Sequence, residues 1–147
     1  MKSKLLHDKA GEKIYILVFN MGDEVRQTLL EFASKHQVRT ARIMAVGAFS
    51  EATLGYFDAT THNYNPIHVR EQVEVASLVG SLAVNADNPE QPKLHLHAVL
   101  GRSDGTAMAG HLLQGTVRPT LEMFVVISPV ELDRYNDPAT GLALLRV

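Results

Sequence analysis

Apolar and polar residues alternate at a period of two through most of this chain and shift to a helical period in one place. Lys13 to Asn20 (KIYILVFN) is β-branched and aromatic, the composition of a strand. Met21-Gly22-Asp23 then supplies a turn, with Asp23 as a candidate N-cap. From Asp23 through Gln37, Val25, Leu29, Leu30, Phe32 and Ala33 recur at three- and four-residue steps, while Glu24, Arg26, Gln27, Glu31 and Lys35 take the other face. A helix is predicted there, packed on a surface by its apolar stripe. The remainder predicts strands at Thr40 to Phe49, Ala52 to Asp58, Ile67 to Gln72, Val73 to Val84, Lys93 to Leu100, Ala107 to Val117 and Leu121 to Ile127. Turn signals punctuate them at Asn63-Tyr64-Asn65-Pro66, Asn85 to Pro89, Ser103-Asp104-Gly105 and Arg118-Pro119. Consecutive strands with one principal helix near one end predict an α+β fold with a curled, mainly antiparallel sheet. Oligomerisation is one way for such a sheet to protect its open edges.

The length of 147 residues fits one domain over 1–147, and no repeat, low-complexity tract or long linker divides it. Composition narrows the chemistry. With 14 Lys+Arg against 16 Asp+Glu the formal net charge is −2, which lacks the basic excess of a protein made to coat phosphate backbone. The absence of cysteine excludes disulfides, thiolate-ligated zinc and a thiol nucleophile, so any metal must rest on His, Asp or Glu. No window approaches a membrane span of about twenty apolar residues, and the start lacks the apolar core of a leader. The expected location is the cytoplasm.

Three of the seven histidines fall in one short stretch, His95 and His97 in KLHLHAVL and His111 in AGHL. In a strand His95 and His97 share one face, with Leu94, Leu96 and Ala98 on the other. A three-residue loop Ser103-Asp104-Gly105, with Gly105 left-handed, would pair Arg102 with Thr106 and set His97 opposite His111 on that same face. A two-residue loop Asp104-Gly105 would turn His111 away, unless a bulge at Gly110 restored it. Three neutral imidazoles suit a divalent ion such as zinc and leave a coordination position open. Glu122 is a candidate fourth ligand or general base, and Arg118 a candidate contact for a substrate anion. An HxH pair alone is common, so the third histidine carries the argument. His7 lies in an opening segment without a predicted element, His36 at a helix end, and His62 and His68 beside a turn; these read as surface or capping residues.

No phosphate-binding glycine loop, HExxH or GxSxG elbow is present. The cations are dilute. Lys2, Lys4, Lys9 and Lys13 make the start modestly basic, and Lys35, Arg39 and Arg42 form a second small group, the candidate DNA contacts.

The segments Ala45 to Asp58 (AVGAFSEATLGYFD), Glu74 to Ser81 (EVASLVGS) and HLHA followed by a Ser-Asp-Gly turn and GHLLxG together resemble the plants-and-prokaryotes-conserved (PPC) domain over nearly the whole chain. The resemblance implies an α+β fold shared distantly with acetolactate decarboxylase, assembled as a homotrimer. It also implies DNA-associated or transcription-linked roles, which the plant proteins combine with AT-hooks. This chain has no AT-hook: Gly101-Arg102 and Val117-Arg118-Pro119 do not form one. Of the plant Arg-Phe-Glu segment only Glu74 is matched. The decarboxylase relatives hold zinc on an HxH pair plus a later His, a pattern that His95, His97 and His111 match with a different final spacing. Two functions are therefore expected to compete: a DNA-associated regulatory protein, with DNA contact expected to be weak and non-specific, and a metal-dependent small-molecule enzyme or sensor.

Overall fold

A computed structural model describes all 147 residues. The chain runs β1 (Lys2–Lys9), β2 (Glu12–Phe19), α1 (Val25–Lys35), β3 (Ala41–Asp58), β4 (Asn63–Val69), β5 (Val73–Asn85), β6 (Lys93–Gly101), β7 (Ala107–Ile127), β8 (Asp133–Asn136) and β9 (Ala143–Arg146). All strand pairs are antiparallel except β5 with β8, which is parallel. The α+β class and the curled, mainly antiparallel sheet are as expected, and no helix is long and apolar enough to cross a membrane.

The curl goes as far as closure. β7 pairs with β6 at its start and with β3 beyond, β3 also pairs with β5, and β5 with β6, so four strands close into a ring. The inward positions of this ring form the core, with Leu54, Leu78, Leu96, Leu100, Leu112 and Leu121 all fully buried. α1 adds Val25, Leu29, Phe32 and Ala33 to it; Leu30, expected in the same stripe, lies at its edge and is exposed.

Several boundaries differ from the sequence expectation, each for a local reason. β3 and β7 are single long strands rather than two each, because register shifts absorb the irregular residues without ending the pairing. Glu24, not Asp23, caps α1: its carboxylate accepts from the Gln27 backbone N–H at 2.7 Å, while Asp23 accepts instead from Asn20 N–H. Asn63 to Pro66 is strand β4 and not a turn, since it pairs with Tyr56 to Asp58 and Gly55 of β3. His7 lies in the β1–β2 hairpin.

The β6–β7 hairpin has the three-residue loop. Arg102 N–H donates to Thr106 O at 2.8 Å and Gly105 N–H to Arg102 O at 3.0 Å, with Gly105 at φ 83°. That conformation favours glycine. The register that follows sets His97 opposite His111.

Candidate metal centre

β6 alternates cleanly, with Leu94, Leu96, Ala98 and Leu100 in the core, so His95 and His97 project from the outer face of the ring. His111 stands where β7 leaves β6 for β3, paired with His97 on one side and Gly55 on the other. The next residue, Leu112, is fully buried, which keeps His111 on the outer face beside the other two.

The three imidazoles meet. Their ring centroids are 5.0, 5.3 and 5.5 Å apart, and one nitrogen from each lies within 4.8 Å of the others. His95 Nε2 and His97 Nε2 are separated by 3.2 Å. Two nitrogens bound to one tetrahedral zinc at the usual bond length stand about 3.3 Å apart. The spacing fits an ion between them. His111 Nδ1 is buried with no hydrogen-bond partner within the chain, leaving its lone pair or proton unmatched by any protein group. The donor set therefore suits a divalent metal on three neutral imidazoles. No carboxylate joins the group.

Electrostatics favour the neutral, ligating form. Burial pushes the His111 imidazole down to about 4, and the charges of His95, Arg26, His97 and Arg134 add to the effect. His95 is lowered too, by burial first and then by Arg134 and His97.

One aromatic side chain packs on the centre. Tyr64 of β4 stacks on His111 with centroids 4.7 Å apart and planes at 28°. A cavity of about 470 Å³ opens beside His95 and His111, walled by Arg26 and Leu30 of α1, by Tyr64, and by the C-terminal β8–β9 hairpin. Arg26 Nη1 donates to Leu112 O at 3.1 Å, next to His111. Arg134 Nη2 donates to Ser81 Oγ at 3.0 Å, and Ser81 is the cross-strand neighbour of His95.

The other candidates from the sequence lie elsewhere. Glu122 sits far along β7 opposite Val46 and Val18, and Arg118 precedes the cis peptide to Pro119; neither lines the cavity nor joins the histidines within this chain. Lys35 is exposed in the last turn of α1 and Arg42 on β3. Arg39 pairs with Glu131 at 3.2 Å and donates to Pro89 O at 2.7 Å. Tyr64, Arg26 and Arg134 were not singled out by the sequence: Tyr64 lay in a turn signal, Arg26 on the polar helix face, and Arg134 in no pattern at all.

Residues 7–129 match the Plants and Prokaryotes Conserved (PCC, or PPC) domain. The chain belongs to the PPC family. A comparison of this PPC domain with curated proteins finds no match. Among solved structures, a Bacteroides thetaiotaomicron protein provisionally described as DNA-binding is 29% identical, with 98% of this chain and 96% of that chain covered at a TM-score of 0.85. A metal-containing protein from Archaeoglobus fulgidus is 28% identical, with 100% and 99% covered at 0.83. A Staphylococcus aureus protein similar to α-acetolactate decarboxylase shares the fold alone, at 12% identity and a TM-score of 0.55 over 82% of this chain and 54% of that one.

Proposed function

We propose that this PPC protein is a cytoplasmic homotrimer that holds one divalent metal, zinc by its donor chemistry, on His95, His97 and His111. It presents that metal to a small molecule in the adjoining cavity, as an enzyme or a sensor. The observation that carries this reading is the convergence of three imidazoles, with His95 and His97 nitrogens 3.2 Å apart, at the wall of a cavity of about 470 Å³. The metal-containing relative supports the metal half. A bound divalent ion supplies Lewis-acid polarisation of an oxygen ligand.

Support for the trimer comes from an exposed apolar row. Phe124, Met44 and Val79 are cross-strand neighbours in succession, each 43–48% exposed, and Val46 lies beside them at 55%. Val79 pairs in turn with His97. Subunits that cover this row bring the histidines to a subunit boundary.

The DNA reading draws on relatives provisionally described as DNA-binding. With Arg39 engaged by Glu131 and a net charge of −2, it is the second reading, of weak contact through phosphates.

Metal analysis of protein purified without an affinity tag tests the first. One divalent ion per chain is expected, and His97→Ala, at an exposed position, should lose most of it while staying folded. Full occupancy in that variant, or none in the wild type, overturns the assignment.

A further inference from the structure

The cavity beside the histidines is one-sided in charge. Arg26, Lys93 and Arg134 line it together with His95 and His111, and no Asp or Glu does. The three cations are not neutralised by ion pairs. Lys93 Nζ donates to the neutral amide of Asn136 at 2.7 Å, and Arg26 to a backbone carbonyl. The acid whose charge acts on Arg26 is Glu24, and its carboxylate is already engaged by the backbone N–H groups of Gln27 and Gly115.

Arg134 is the sharpest case. It is 7% exposed, donates from Nη1 to Ala143 O at 2.9 Å and from Nη2 to Ser81 Oγ, and keeps Nε buried with no partner at all. Burying a guanidinium among neutral acceptors is costly, and one donor left open makes it more so. A fold tolerates that arrangement where an anion completes it. The rest of the wall is aliphatic, with Leu30 and Leu94 on one side and Leu142 and Leu144 from the C-terminal hairpin on the other. A bare inorganic anion would leave that surface against water.

We infer that the cavity is a binding site for a small aliphatic carboxylate, its charged end between Arg26 and Arg134 beside the histidines and its hydrocarbon tail against Leu94, Leu142 and Leu144. This rests on the metal-dependent small-molecule reading only for what happens at the carboxylate's metal-facing side; the arginines and the apolar wall act without the metal. Arg134 and the Leu142–Leu144 wall lie beyond the residues matched by the family domain, so this half of the site is supplied by the C-terminal hairpin.

The experiment is a titration of metal-stripped and zinc-loaded full-length protein with butyrate, butyramide and inorganic phosphate, followed by amide chemical shifts and calorimetry. Butyrate is expected to shift amides of β8–β9 and the start of α1 in both forms, and butyramide to leave them in place. Arg26→Met, which keeps the apolar stem, should weaken butyrate at least tenfold with zinc content unchanged, and Arg26→Lys should recover part of that loss. Butyrate binding that is equal in Arg26→Met, or phosphate binding tighter than butyrate, overturns the inference. Zinc-free protein that still binds butyrate through Arg26 supports it, even where zinc analysis has overturned the metal assignment.

Discussion

Burial sets the proton affinity of His111, and this gives the centre a pH dependence of definite sign. In metal-stripped protein the imidazole stays neutral down to about pH 4, whereas in the unfolded chain it titrates near 6.5. Between those values the unfolded state binds more protons, so stability present above about pH 6.5 is lost as pH falls toward 4, with none further from this group below. His95 acts in the same direction. The urea midpoint of stripped protein should therefore drop across this window, and His111→Gln should flatten the drop; an unchanged slope in that variant contradicts the assignment. His95 and His97 were legible in the sequence because period-two alternation is a local fact, whereas His111 depended on a loop length that only the strand register decides. Arg26, Tyr64 and Arg134 were not legible, since each reaches the cavity from an element remote in sequence from the hairpin that carries the ligands. Nothing in the spacing of Arg26 among helix residues says that a guanidinium on the polar face will curl over β7.

At the level of elements, the two strands of the β6–β7 hairpin were readable, but Asp104-Gly105 left its loop open between two and three residues; the Arg102–Thr106 hydrogen bond and left-handed Gly105 make it three. The continuity of the long strands was not readable. Ser50-Glu51 and Arg118-Pro119 read as breaks, and only tertiary pairing carries β3 and β7 through them. β1 shows no amphipathic pattern because all eight of its residues are exposed, and β8 and β9, at four residues each, are too short to show a period. The close approach of β5 to β6 yields a test. A Cβ at Gly80 would overlap the His95 carbonyl oxygen, with Leu96 Cα only 2.9 Å away, so backbone and not a flexible side chain must yield. Gly80→Ala should cost about 1–3 kcal/mol in chemical denaturation. By displacing His95 it should also weaken metal binding at least tenfold in a competition titration. Unchanged metal affinity would mean that β6 tolerates the shift without moving its ligand.

For the whole molecule, the apolar row of Phe124, Met44 and Val79 predicts assembly. Light scattering at micromolar concentration should give the mass of three chains, and Phe124→Asp should reduce it to one with the far-ultraviolet spectrum retained. A monomeric wild type contradicts the row's role. A trimer presents Lys35, Arg42 and the β1 lysines three times each, which lifts a weak phosphate contact by multivalency. Binding to duplex DNA should be non-selective and fade between about 50 and 200 mM salt in an anisotropy titration. Tight, sequence-selective binding that survives competitor DNA would place the DNA reading first.

The compactness of the ligand set along the chain has an energetic consequence of its own. His95, His97 and His111 belong to a single hairpin, so an unfolded chain needs to close only a short loop to gather all three, at small entropic cost. A metal that engages the native site will thus also engage the denatured ensemble to some degree. Ligand linkage counts only the difference between the two affinities, so saturating metal raises the melting temperature by less than its native dissociation constant implies. The cavity's carboxylate site has the opposite character. Arg26 and Arg134 come from opposite ends of the chain and line one cavity only in the folded protein, so an anion held between them reports on the native state alone.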